Sequence, residues 1–154
     1  MGLFSFIKNL GSRSIERKEE SEEHIAEAIH KKKVKVLTDI VHGLNLNVTN
    51  LSIDLKEDVV TVYGQVDSTQ DREKVVLALG NTAGVAAVDD RLSVMNPEPE
   101  AEMYEVKKGD SLSKIAKRYY GDPMKYKEIF AANQPMLQDP NLIYPGQVLR
   151  IPNL

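Results

Sequence analysis

The sequence predicts an α+β protein of two small domains, an αββαβ sandwich followed by a βααβ unit, joined by a short linker. Three observations carry this. An apolar period of helical spacing from residue 21 to about 44 gives way to strict alternation in LSIDLKEDVVTVYGQV. The tract MNPEPEAEM is rich in proline and glutamate and has no period, which marks a semi-extended linker. With 154 residues, the chain is long enough for two modest cores. The expected division is an N-terminal helical segment over 1–20 packing on the first domain, that domain over 21–95, the linker over 96–103, and the second domain over 104–154.

Each element has its own justification. Ser21, followed by Glu22 and Glu23, supplies a side-chain cap and negative charge at a helix start. Ile25, Ile29, Val36, Leu37, Ile40, Val41 and Leu44 then recur on one helical face as far as Gly43. Leu51, Ile53 and Leu55, a charged turn, and then Val60, Val62 and Val66 form a hairpin. Asp67 and Ser68 cap a helix carrying Val75, Val76 and Leu79; Gly80 is placed to end it in the left-handed conformation. GNTAGV is a turn, and Val88, Leu92 and Val94 share a face of the next strand. Past the linker, YEV is a strand and Asp110 or Ser111 caps a helix with Leu112, Ile115, Ala116 and Tyr119 on its apolar side, stopping at Gly121. Asp122 and Pro123 start another helix, whose buried side is Tyr126, Ile129 and Phe130, and Tyr144, Pro145 and Gly146 make a type II turn into a last strand.

Composition removes several function classes. A formal net charge of −3 gives no general attraction to phosphate backbones, so nucleic acid is not an expected partner. With no cysteine there is neither disulfide nor thiolate chemistry. His24, His30 and His42 lie six and twelve residues apart on one helix, not at the spacing that sets metal ligands side by side. The carboxylate pairs, Asp89 and Asp90 among them, are adjacent residues whose side chains point apart. No phosphate-cradling glycine motif and no nucleophile–base pair occurs, so an enzyme is not expected. The opening MGLFSFIKNLG reads as one helical run from about Leu3, finishing near Leu10 with Gly11 as terminator. Its apolar stretch is broken by Ser5, Lys8 and Asn9 and no small-x-small site follows, so it is not an export signal. No apolar run is long enough to span a membrane. A cytoplasmic protein is expected; the alternative is weak membrane-surface contact through Leu3, Phe4, Phe6, Ile7 and Leu10.

YEVKKGDSLSKIAKRYYGD, IFAANQP and IYPGQVLRIP together resemble a LysM domain over 104–152, and the region from about 34 to 95, with VVTVYGQV and GNTAGVAAVDDRLSV, resembles a BON domain. The two in this order, behind the MGLFSF start, resemble a family of small bacterial cytoplasmic potassium-binding proteins. That resemblance implies a monomer with K+ as its ligand, a sensor that changes conformation or domain arrangement when the ion binds. LysM domains in turn imply an N-acetylglucosamine glycan such as peptidoglycan as the alternative ligand. It would lie between Gly109, Asp110, Ser111 and Leu112 on one loop and Asn141, Leu142, Ile143, Tyr144 and Pro145 on the other. Because the same residues serve turns and caps, a structural or interdomain role for this module is favoured.

Potassium asks for several neutral oxygens, and backbone carbonyls supply them without the charge that favours divalent ions. Helix C-termini offer such carbonyls, since the last four lack intrahelical partners. Two glycine-ended segments qualify: the carbonyls of Gly80, Thr82 and Val85 at the GNTAGV turn, and those of Ile7 and Leu10 before Gly11. The alternative for both is that the glycines only stop helices.

Overall fold

The computed structural model of the protein describes residues 2–5 and 20–154. In the first domain, β1 (Gly2–Ser5) is followed by α1 (Glu20–His42), β2 (Val48–Lys56), β3 (Val59–Ser68), α2 (Thr69–Gly80) and β4 (Ala87–Asn96). The strands form one sheet in the order β1-β4-β3-β2. β2 and β3 are an antiparallel hairpin, β3 and β4 run parallel with α2 as the crossover, and β1 lies antiparallel on the outer edge of β4.

Alternation places Val60, Val62 and Val66 of β3 and Val88 and Leu92 of β4 on one face, where they pack against Leu37 and Val41 of α1 and Val75, Val76 and Leu79 of α2. The β3 valines and Val88 are fully excluded from solvent. The αββαβ order is therefore as expected, with one strand added. Ser68 caps α2, its Oγ accepting from the Asp71 N–H at 3.1 Å. The apolar face of α1 is shorter than its spacing suggests: Leu37, Val41 and Leu44 are buried, whereas Ile25 and Val36 are 55% and 50% exposed.

Over Gly2–Ser5 the helical run expected from about Leu3 is replaced by strand β1, with Phe4 opposite Val88 and Ser5 opposite Ala87. The spacing of Leu3 and Phe4 suits a helix or a strand. The free edge of β4 decides, because it offers four residues a hydrogen-bonded partner that an isolated helix start lacks. Pleating turns Leu3 outward, 66% exposed, and lays the half-buried Phe4 on the core. Ile7, Leu10 and Gly11 lie outside the described residues.

The second domain consists of β5 (Glu102–Glu105), α3 (Leu112–Tyr120), a 3-10 turn at Pro123–Lys125, α4 (Tyr126–Ala132) and β6 (Val148–Ile151), with β5 and β6 antiparallel. Ser111 caps α3 through the Lys114 N–H, and Gly121 ends it at φ +75°, where a side chain would be strained. Leu112, Ile115, Ala116, Ile129, Leu149 and Ile151 make the core. The Tyr144-Pro145-Gly146-Gln147 turn is closed by the Gln147 N–H donating to Tyr144 O at 3.1 Å, with Gly146 at φ +91°.

The linker is strapped rather than free. Thr69 Oγ1 accepts from the Glu98 N–H at 2.8 Å, Arg72 donates to Glu100 at 2.7 Å, and Glu73 accepts from the Ala101 N–H at 3.0 Å. These three residues stand on the first two turns of α2, so residues 98–101 follow its side.

Candidate functional site

The α2–β4 turn carries three of the predicted ligands. Accounting for the last four carbonyls of α2 shows which remains open. Leu77 O accepts from the Asn81 N–H at 2.9 Å, Ala78 O from the Thr82 hydroxyl at 2.8 Å, and Leu79 O from the Thr82 N–H at 3.2 Å. Among the described residues, none donates to the carbonyl of Gly80 or to that of Val85, and both residues are buried. Polar backbone in such a place ordinarily has a partner, so an acceptor left over at the negative end of a helix suits a cation. Thr82 O accepts from the Val85 N–H at 3.2 Å and keeps one lone pair.

Two expectations at this turn are corrected. Gly80 is the last residue of α2 and does not take the left-handed conformation; the C-cap is Asn81 at φ −82°. The left-handed residue is Gly84, at φ +88°. The helix is closed by the Asn81 N–H and by both polar groups of Thr82, so no left-handed glycine is needed to satisfy its carbonyls. Antiparallel pairing also brings β1 to this end of the sheet, since Ser5 stands opposite Ala87, two residues beyond Val85. A groove of about 340 Å³ runs beside the turn, between residues 82–85, Leu55 and Glu57, and Ile29, Lys32, Lys33, Val36 and Leu37 of α1. Among the described residues no three His, Asp or Glu side chains gather as a metal site.

Asp89 and Asp90 do face opposite ways. Asp89 pairs with Arg91 at 3.0 Å on the outer side, while Asp90 is fully buried with the Arg72 guanidinium 3.5 Å away. Burial raises the Asp90 carboxyl above its ordinary value; the Leu92 N–H and Arg72 pull the other way.

The same turn touches the second domain. The Asn81 amide donates to Val148 O and its Oδ1 accepts from the Val148 N–H, both at 2.8 Å, and Nδ2 also lies 3.2 Å from Met136 Sδ. Asn133 holds the next position in the same way, bonding the Arg150 carbonyl and N–H at 2.9 and 2.8 Å. Two side-chain amides thus complete the edge of β6 turned away from β5. Below them Arg150 and Glu73 form a buried ion pair at 3.2 Å, with side chains 7% and 3% exposed. Burial raises the Glu73 carboxyl, with Arg150 and the Ala101 N–H opposing.

The predicted glycan residues are mostly committed to the fold. Leu112 is in the core, 2% exposed, and Ser111 Oγ caps α3. The Asp110 carboxylate accepts from the Tyr104 hydroxyl at 2.5 Å and the Lys107 N–H at 2.8 Å, with Arg118 3.7 Å away. Burial would raise its pKa, but these partners together hold it below the usual carboxylate range. Gly109, at φ +86°, accepts from Lys114 Nζ at 3.1 Å. Ile143 packs on the domain core, and the Tyr144 hydroxyl lies 3.5 Å from Asn81 O, against the first domain.

Asn81, Glu73 and Arg150 were missed by sequence reasoning. Arg150 alternates with Leu149 and Ile151 and so reads as solvent-facing; only the docking of α2 buries it. An asparagine after a helix-ending glycine is an ordinary turn signal, and nothing local says that its side chain bonds a strand 67 residues away.

Comparison with known proteins agrees with this architecture. Residues 22–96 match the BON domain family and residues 104–152 the LysM domain family. The chain is 37% identical to the Potassium binding protein Kbp of Escherichia coli, over 99% of both chains. It is 36% identical to an uncharacterized protein of Deinococcus radiodurans over 77% of this chain and 51% of that one. Identity to the uncharacterized protein YqbP of Bacillus subtilis is 27%, over 79% and 59% respectively. With both domains matched in order and the Kbp likeness running end to end, the chain belongs to the BON–LysM family that includes Kbp.

Proposed function

We propose that the protein is a cytoplasmic, monomeric, non-catalytic potassium-binding sensor whose ion is held by backbone carbonyls at the α2–β4 turn. Gly80 and Val85 are the principal donors and Thr82 O contributes its free lone pair. The observation that carries this is the carbonyl of the buried Gly80, left without a donor among the described residues when its three predecessors are all satisfied. The end-to-end likeness to Kbp supports the choice of potassium. Neutral carbonyl donors also suit a large monovalent ion better than a small divalent one.

Binding to the folded state alone stabilises it by about 2.7 kcal/mol at a hundredfold excess of ion over Kd. Thermal melting in potassium, rubidium, caesium, ammonium and sodium chlorides at equal ionic strength tests this. The expected result is a ranked shift, largest for potassium and small for sodium; equal shifts in all five salts would reduce the effect to ionic strength and remove the site.

A further inference from the structure

Asn81 sits between two of the proposed ligand residues, Gly80 and Thr82, yet its side chain is spent entirely on the other domain. Both ends of its amide are bonded to the backbone of Val148, in the fashion of a peptide group in a neighbouring strand. Its own N–H is fixed on Leu77 O, and its carbonyl lies 3.5 Å from the Tyr144 hydroxyl of the second domain. The peptides on either side of Asn81 are therefore held by the end of α2 within the first domain, and from the second domain by Val148 through the Asn81 side chain and by Tyr144 at the Asn81 carbonyl. A planar peptide carries its carbonyl rigidly, so fixing the N–H of Asn81 fixes the direction of the Gly80 carbonyl.

We propose that Asn81 is a positioning residue for the cation: its clamp on Val148 holds the Gly80–Asn81 peptide and so orients the Gly80 carbonyl, and affinity for the ion depends on the edge strand of the second domain. The inference rests on the potassium reading of the turn. Asn81 does not touch the ion through its side chain; it acts through the peptides it anchors. Linkage makes the effect reciprocal, so an occupied turn tightens the hold on Val148.

Two measurements on the full chain decide it. Isothermal titration with potassium chloride is expected to show N81A binding about tenfold more weakly than the wild type, about 1.4 kcal/mol, which is a part of the net worth of two hydrogen bonds. Amide hydrogen exchange in the wild type is expected to slow at Val148 on adding potassium, by more than at Arg150, whose amide is held by Asn133 within the second domain. A role confined to holding the domains together would not make Val148 respond selectively to the ion. If N81A does not fold, the exchange measurement on the wild type still decides. Unchanged potassium affinity in N81A, or equal responses at Val148 and Arg150, would overturn the inference while leaving the potassium site standing. A wild-type protein that takes up no potassium would overturn both.

Discussion

At the scale of single residues, the polar groups that matter here are buried ones. Asp90 shares a strand face with Val88 and Leu92 and is as inaccessible as they are, with Arg72 as its counter-charge. Its carboxyl titrates above the ordinary 3.8 because burial penalises the charged form. The sign of the pH effect follows. A folded-state pKa above the unfolded value means the folded protein holds the proton better, so the contribution is fully present below pH 3.8 and is lost as pH rises through the raised value. D90N keeps an acceptor for the Leu92 N–H but does not titrate. Wild type should therefore lose stability relative to D90N as pH climbs through that window, in urea denaturation at a series of pH values. A difference that stays flat with pH would contradict the assignment. Neither carboxylate of the DD pair revealed this in sequence: alternation correctly sends them to opposite faces, but which face is covered depends on α2.

Among the elements, β1 departs most from sequence reasoning. Leu3 and Phe4 are compatible with a helix and with a strand, and the edge of β4 settles the matter. The two readings differ in their mutational signature. In the strand, F4A removes a side chain packed on the core and should cost about 1.5 kcal/mol, while L3A, on the exposed face, should stay within about 0.5 kcal/mol. Chemical denaturation of the two variants checks it; comparable losses would argue that both side chains share a buried face. The helices α2 and α3 were the most legible elements, because caps at Ser68 and Ser111 and a stop at Gly121 are local chemistry. The hidden feature of α2 is its second buried face. Glu73 and Leu77 turn from the sheet toward the other domain, and a helix covered on two sides gives no clean amphipathic stripe to read.

For the molecule as a whole, the junction between domains includes polar groups that have a partner on the far side. Glu73 meets Arg150, Asn81 meets Val148, and the linker is tied to Thr69, Arg72 and Glu73. Removing one partner of the buried pair leaves the other charge uncompensated, so E73A should cost about 3–5 kcal/mol. It should also separate unfolding into two transitions, as the second domain loses its hold on the first. A single transition of nearly unchanged midpoint would show that the pair does not join the domains. If the potassium reading holds, the ion favours this docked arrangement. Small-angle scattering should then give a smaller radius of gyration with potassium than without; the same radius in both would separate ion binding from domain arrangement.

The sequence by itself determined the α+β class and the order of elements from α1 onward, because caps, glycines, prolines and periodicity act over a few residues. It also determined the kinship of the chain, through blocks of residues that recur in the BON and LysM families. Only the tertiary structure decided that the chain begins with a strand, that Asp90 and Arg150 are interior, and that the residue between two proposed ligands is held by the other domain. Those outcomes depend on which surface arrives from elsewhere in the chain to cover a given edge or face, and on hydrogen bonds between residues as far apart as Asn81 and Val148.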